Sequence, residues 1–175
     1  FEYKRGETEW LSEIFDNYNL IKTIGLDIGI LASSDRGFGY KKDIHIWIRK
    51  EDFENTNLMI LLSYVILGHP EWKKGKIKIF AAFQAEHLEE EQNSLIQLAS
   101  TGRLPISSNN IYVLPLDVSK NRTDLINEYS ADADLTLIGF HESVMKSENR
   151  SKLFDGYDKL GNILFVNTLK TKLIK

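Results

Sequence analysis

Short β-branched runs alternate with helix-length segments through most of this chain, and that alternation limits its fold more than any other feature. A run of about five residues rich in Val, Ile and Phe suits a strand, and the ten or so residues before the next run leave room for a crossover helix. Repeated, the pair builds βαβ units on a parallel sheet. Five such runs occur: DIHIWIR at 43–49, IKIFAAF at 77–83, IYVLP at 111–115, DLTLIGF at 134–140 and ILFV at 163–166. The intervening segments predict helices near 54–67, 84–100, 119–131 and 143–155. Parallel crossovers are almost always right-handed, so the expected fold is an α/β domain: a five-stranded parallel sheet, doubly wound, with helices on both faces.

Ahead of this unit, Trp10, Leu11, Ile14, Phe15, Tyr18 and Ile21 recur at three- and four-residue steps, which predicts an amphipathic helix. Ile24, Leu26, Ile28 and Ile30 then alternate with Gly25, Asp27 and Gly29, predicting a strand that is bare on one side. SSDRGFGYKK at 33–42 reads as a linker or hinge. The expected organisation is therefore a helix and strand at 1–32 that end a preceding half-domain, a linker at 33–42, and the parallel α/β domain at 43–175. The start at Phe1, without methionine or a signal-like apolar stretch, fits an excised piece and equally fits processing. The helix at 54–67 is apolar almost all round, so burial on more than one side is expected. Two arrangements would provide it: a place between the sheet and the N-terminal helix, or a subunit interface.

With 42% hydrophobic and 27% charged residues the chain is globular in composition. A net charge of -3 argues against a nucleic-acid binder held by a broad phosphate-facing patch. There is no cysteine, which excludes disulfides, thiolate metal sites and a cysteine nucleophile. The longest dense apolar run, 58–67, falls short of the roughly 20 residues that cross a bilayer. Any membrane connection is expected from sequence ahead of Phe1.

Few residues are spaced as catalytic or ligand-binding chemistry requires. His45, His69, His87 and His141 show no paired spacing for a metal. His45 alternates with Trp47 and Arg49 opposite Ile44, Ile46 and Ile48, a half-polar strand face that either meets another domain or is hydrogen-bonded beneath a helix. Asp132 and Asp134 precede a strand and suit loop hydrogen bonding, and Asp155 and Asp158 around Gly156 suit a turn. No GxSxG elbow surrounds Ser63, Ser94 or Ser143. Glu86, Glu89, Glu90 and Glu91 open a helix, where carboxylates suit the dipole on a solvated face. Parallel sheets bind nucleotides where glycine-rich loops expose backbone N–H groups after a strand. Here Gln84-Ala85-Glu86 and Phe140-His141-Glu142 occupy those places, and neither a GxGxxG nor a P-loop is present, so no cofactor is expected. Lys73, Lys74, Lys76 and Lys78, and again Lys170, Lys172 and Lys175, form basic clusters suited either to anionic lipid headgroups, at about 1 kcal/mol per charge, or simply to solubility. The sequons at Asn121 and Asn149 are read as chance matches.

The run KKDIHIWIRKEDFENTNLMILLSYVILGHPEWKKGKIKIFAAF resembles a segment of sodium-potassium-chloride cotransporters, in the amino acid/polyamine/organocation transporter superfamily. In that segment a tryptophan-bearing strand leads through a leucine-rich helix to a tryptophan-lysine turn and a second strand, with Trp47, Leu61, Leu62, Tyr64, Trp72, Lys73, Lys76, Ile77 and Phe80 at matching places. LINEYSADADLTLIGF and ILFVN resemble the family's closing helix and last strands, and EWLSEIFDNYNLIKTIGLDIGIL is similar to the end of the first half of the same region. The resemblance implies the C-terminal cytoplasmic domain of a cation-chloride cotransporter, related in fold to universal stress proteins. Such a domain lies below an ion-transporting membrane domain, holds none of the ion-coordinating residues, and contributes to dimerisation, trafficking or regulation.

This chain lacks the acidic insertion that vertebrate members carry after the third strand, and HESVMKSENRSKLF replaces a longer run. Both departures fit a compact microbial relative. The expected role is non-catalytic, with the protein's own membrane domain and a second copy as partners and no nucleic acid. Trp10, Phe15, His45, Trp47, Tyr64 and Trp72 are the interface candidates, and Lys73, Lys74 and Lys76 the lipid-facing ones. The alternatives are a stress-protein-like nucleotide-binding domain and, further off, a hydrolase or transferase using carboxylates and His141.

Overall fold

The computed structural model describes residues 1–7, 9–49, 53–100, 106–116, 120–146 and 150–169. Seven strands form one sheet: β1 (Glu2–Lys4), β2 (Ile28–Ser33), β3 (Asp43–Ile48), β4 (Lys76–Gln84), β5 (Ile111–Leu116), β6 (Leu135–Gly139) and β7 (Asn162–Asn167). Their order is β1-β2-β7-β6-β3-β4-β5. The five strands from β3 to β7 are mutually parallel, as the β-branched runs predict. Numbered among themselves they lie 3-2-1-4-5, the doubly wound order, with the chain reversing direction between β3 and β6.

The helices are α1 (Glu9–Thr23), α2 (Phe53–Leu67), α3 (Leu88–Ser100), α4 (Arg122–Ser130) and α5 (Glu142–Lys146). Crossover handedness assigns their faces. The steps from β3 to β4 and from β4 to β5 move one way, so α2 and α3 share a face; the steps to β6 and β7 move back, so α4 and α5 take the other. β2 runs antiparallel to β7, so β1-α1-β2 is a right-handed unit turned upside down, and its helix falls on the face of α4 and α5.

The two cores record this division. Leu11, Ile14 and Tyr18 of α1 pack with Leu125 and Ile126 of α4, Phe140, Phe154 and Phe165. Met59 and Ile60 of α2 and Leu95 of α3 pack on Ile44, Ile46, Ile48, Ile79 and Leu137. The all-round apolar character of α2 is therefore not explained by a place between the sheet and α1. Those helices lie on opposite faces, and the outer side of α2 has no helix over it among the described residues.

The N-terminal stretch read as the end of a preceding half-domain contributes two strands and a helix to this same sheet. β2 begins later than the alternation suggests, because α1 runs to Thr23 and ends on Gly25 at φ +83°, with Gly25 N donating to Lys22 O and Leu26 N to Ile21 O. Ile24 and Leu26 are consequently exposed. Residues 33–42, read as a linker, are tied down. Asp134 accepts from the backbone N–H groups of Tyr40, Lys42 and Asp43 at 2.8, 2.7 and 2.9 Å. Burial works to raise its pKa, but these backbone donors together outweigh it and hold the carboxyl below its ordinary value. Arg36 donates to Ala131 O and Lys159 O, and Phe38 meets Trp72 edge-on at 5.9 Å.

Candidate functional site

The place to look for a ligand in such a sheet is the crevice beyond the carboxyl ends of β3 and β6, where the strand order reverses. Side chains bridge it. Asn55, buried near the start of α2, donates from Nδ2 to Phe140 O at 3.0 Å and accepts the Thr168 N–H at 2.7 Å. Asn167 donates to the same Phe140 oxygen at 2.8 Å, while its own Oδ1 accepts from Tyr18 and Lys22. Arg49 donates to Gly139 O at 3.2 Å, and Asp27 receives Thr168 Oγ1 and Leu169 N.

The glycine of DLTLIGF serves this closure. A β-carbon at Gly139 would sit 3.1 Å from both Cβ and Nδ2 of Asn55, so the missing side chain makes room for the asparagine. The cavity left beside it, lined by Lys22, Glu54, His141 and Glu142 among others, holds about 140 Å³. Ligand pockets commonly hold about 300–1,000 Å³. Among the described residues the hydrogen bonds of His141 go to Ser143 and not to a carboxylate. Its Nδ1 receives the Ser143 N–H at 3.2 Å and lies 3.0 Å from Ser143 Oγ, capping the short α5. Asn55 was missed in the sequence. Its signal was available: a polar residue at the head of an otherwise apolar helix.

Of the interface candidates, three are interior. His45, Trp47 and Trp72 are buried, so their side chains are not available to a partner, and the half-polar face of β3 is the hydrogen-bonded kind. His45 Nδ1 lies 2.9 Å from Ser130 Oγ on α4, and the Trp47 indole donates to the same oxygen at 2.8 Å. Burial first, and then the Lys78 charge, lower the His45 pKa to about 4, so the ring is neutral in the fold. Trp47, Phe80 and Tyr112, in register across β3, β4 and β5, stack at 5.0 and 5.2 Å. Phe15 is half-buried, with Phe154 on one side and the Arg150 guanidinium 4.3 Å above its ring.

Trp10 and Tyr64 are exposed, and so are Lys73, Lys74 and Lys76. Lys170, Lys172 and Lys175 lie outside the described residues, as does Asn149. Asn121 caps α4, accepting the Asp124 N–H at 2.8 Å. Asp155 and Asp158 are exposed around Gly156, which turns at φ +82°. No group of three His, Asp or Glu side chains suited to a metal occurs among the described residues. No helix there is long and apolar enough to cross a membrane.

The exposed surface that stands out is the outer side of α2. Leu61, Tyr64 and Val65 are 40%, 46% and 67% exposed, with Leu58 and Leu62 half-buried beside them. Glu54 is the helix's one charged residue.

No family profile matches the chain, and no curated protein matches it in sequence. Solved structures do match in fold. One is the cytoplasmic domain of a prokaryotic cation chloride cotransporter, at 18% identity and a TM-score of 0.57 over 95% of this chain. Another, a functionally unknown protein from Pseudomonas aeruginosa, is 13% identical with a TM-score of 0.50 over 94%. This chain spans 62% and 61% of their respective lengths. The architecture of a sheet flanked by helices is thus shared with known proteins.

Proposed function

We propose that this chain is a non-catalytic cytoplasmic regulatory and assembly domain of a cation-chloride cotransporter of the sodium-potassium-chloride type. In this reading it couples to the membrane transport domain, pairs with a second copy, and keeps a universal-stress-protein-like core as a structural joint. The observation that carries the proposal is the agreement in fold, over 95% of the chain, with a cotransporter cytoplasmic domain. The resemblance from KKDIHIWIR to KIKIFAAF supports it independently of the fold. The bridged crevice supports the non-catalytic part, since Asn55 and Asn167 occupy the ground a phosphate would need.

The test uses the full-length protein that contains this chain. Deleting the domain is expected to impair assembly, surface delivery or ion flux; a deletion mutant that matches the intact protein in all three sinks the proposal. The strand order favours a rival, a stress-protein-like nucleotide-binding domain. Calorimetry with ATP and ADP separates the two: no heat at millimolar nucleotide is expected, and saturable heat establishes the rival.

A further inference from the structure

A second cavity, of about 500 Å³, opens at the other end of the sheet from the bridged crevice. Strand direction puts it there. β1 and β2 are parallel to each other but β2 is antiparallel to β7, so their carboxyl ends point away from those of β3 and β6. Arg5, Gly6 and Glu7 follow β1, Ser34, Asp35 and Arg36 follow β2, and both sets line the cavity together with the turn around Gly156. A βαβ unit takes ligands beyond the carboxyl ends of its strands, and this volume suits a ligand pocket where the 140 Å³ beside Asn55 does not.

The walls are braced. Arg5 donates to the main-chain oxygens of Tyr157, Leu160 and Gly161 at 2.6, 2.6 and 3.0 Å, and Arg36 to those of Ala131 and Lys159. Asn127 of α4 holds the same turn, donating to Gly156 O at 2.6 Å and accepting the Lys159 N–H at 3.1 Å. Both arginines are thus engaged by neutral carbonyls, and Asp35 is engaged by Lys4 at 2.9 Å. Glu7, Asp155 and Asp158 are left at the mouth, exposed and without an ion pair among the described residues.

We propose that this cavity binds a small organic cation, a primary ammonium or guanidinium on a short apolar stem. The carboxylates at the mouth set the sign of the charge. The floor sets its kind: Tyr3, Phe154 and Tyr157 are buried there, with Tyr3 and Phe154 edge-on at 5.8 Å, and aromatic rings attract an organic cation while offering a place for its stem. A metal ion suits the site less, because no three of these carboxylates gather into a group that could hold one among the described residues. Ser34 Oγ supplies the remaining contact. It is buried and has no hydrogen-bond partner among the described residues, which leaves it an acceptor for a ligand N–H. The inference goes beyond the cotransporter reading and does not depend on it.

The test titrates the full chain with agmatine and with phenethylamine in a calorimeter. At least one is expected to give saturable heat with a dissociation constant near or below about 1 mM, and 3-phenylpropionate, similar in size but opposite in charge, is expected to give none. In proton-nitrogen correlation spectra the amides that shift should be those of residues 5–7, 34–36 and 154–160. Asp155→Asn together with Asp158→Asn should weaken binding at least about tenfold and leave the circular dichroism unchanged, since both side chains are exposed. Glu89→Gln together with Glu90→Gln, on the exposed side of α3, should leave binding as it is. Absence of saturable heat with either amine overturns the inference, and so do amide shifts confined to other parts of the chain. Equal weakening by the two variant pairs also overturns it, because that result marks diffuse charge attraction and not a site. Since ion flux is not among the readouts, such failures leave the cotransporter reading to its own deletion test.

Discussion

Ile79 and Phe80 are neighbours on β4 and both are buried, yet they face different interiors. Ile79 looks toward α2 and α3, into a layer that includes Ile44, Ile46, Ile48, Met59 and Leu137. Phe80 looks toward α4, where Trp47 and Tyr112 stack on its two sides, His45 lies 4.9 Å from its ring and Tyr129 6.1 Å. Around Ile79 this face of the sheet is held by aliphatic shape and burial. The other adds ring geometry and hydrogen bonds, and so depends on particular side chains.

The largest expected effect tests that contrast at these two positions. Phe80→Ala should cost about 4 kcal/mol, because it removes the ring at the centre of the stack and leaves a cavity bounded by rigid neighbours. Ile79→Val should cost about 1 kcal/mol. The conservative pair sharpens the point: Ile79→Leu is a near volume-conserving swap, whereas Phe80→Leu forfeits the aromatic contacts. Urea denaturation measures all four. Equal losses for the two leucine variants would show that the faces are held in the same way.

A smaller effect follows from pH. His45 is neutral in the fold with a pKa near 4, against 6.5 when exposed. Its folded value is depressed, so its contribution is fully present above about pH 6.5, declines as pH falls, and levels off below about pH 4. The total change is roughly 3 kcal/mol. Lys78 reinforces the depression, while Asp43, Asp134 and Asp132 oppose it. His45→Phe should flatten the pH dependence of stability in that window, and the imidazole resonance of the native chain should titrate near pH 4. A midpoint near 6.5 would place the ring in water.

The five parallel strands were legible because a β-branched run between helix-length segments has few alternatives. The faces of the helices were not. α2 and α3 could be placed by handedness, but the side taken by α1 depends on β2 running antiparallel to β7, and direction leaves no trace in a six-residue run such as IGILAS. Hence the apolar girdle of α2 suggested two explanations, and only the direction of β2 removes one of them. β1 was invisible for a simpler reason: EYK is too short to show a period. At the crevice the sequence showed that a phosphate cradle was missing. It could not show that Asn55 bridges the gap, since its partners Phe140 and Thr168 are distant in the chain. His45 and Trp47 were candidates because they share a half-polar strand face and Trp72 because of the resemblance, and all three have buried partners.

Ser130 gives the finest test of how the polar face is held. Its hydroxyl is fully buried, accepts the Trp47 indole N–H at 2.8 Å and lies 2.9 Å from His45 Nδ1, which leaves its own proton to meet the neutral ring. Ser130→Ala removes few contacts but strands a buried donor and a buried acceptor, so about 2 kcal/mol is expected from one oxygen atom. If the loss comes from those stranded groups, it must shrink once one of them is gone. A cycle of Ser130→Ala, His45→Phe and the double variant should therefore show a coupling of about 1 kcal/mol, measured by urea denaturation at neutral pH. Strict additivity would mean that the serine acts by filling space, and that this face of β3 differs from the aliphatic one only in its rings.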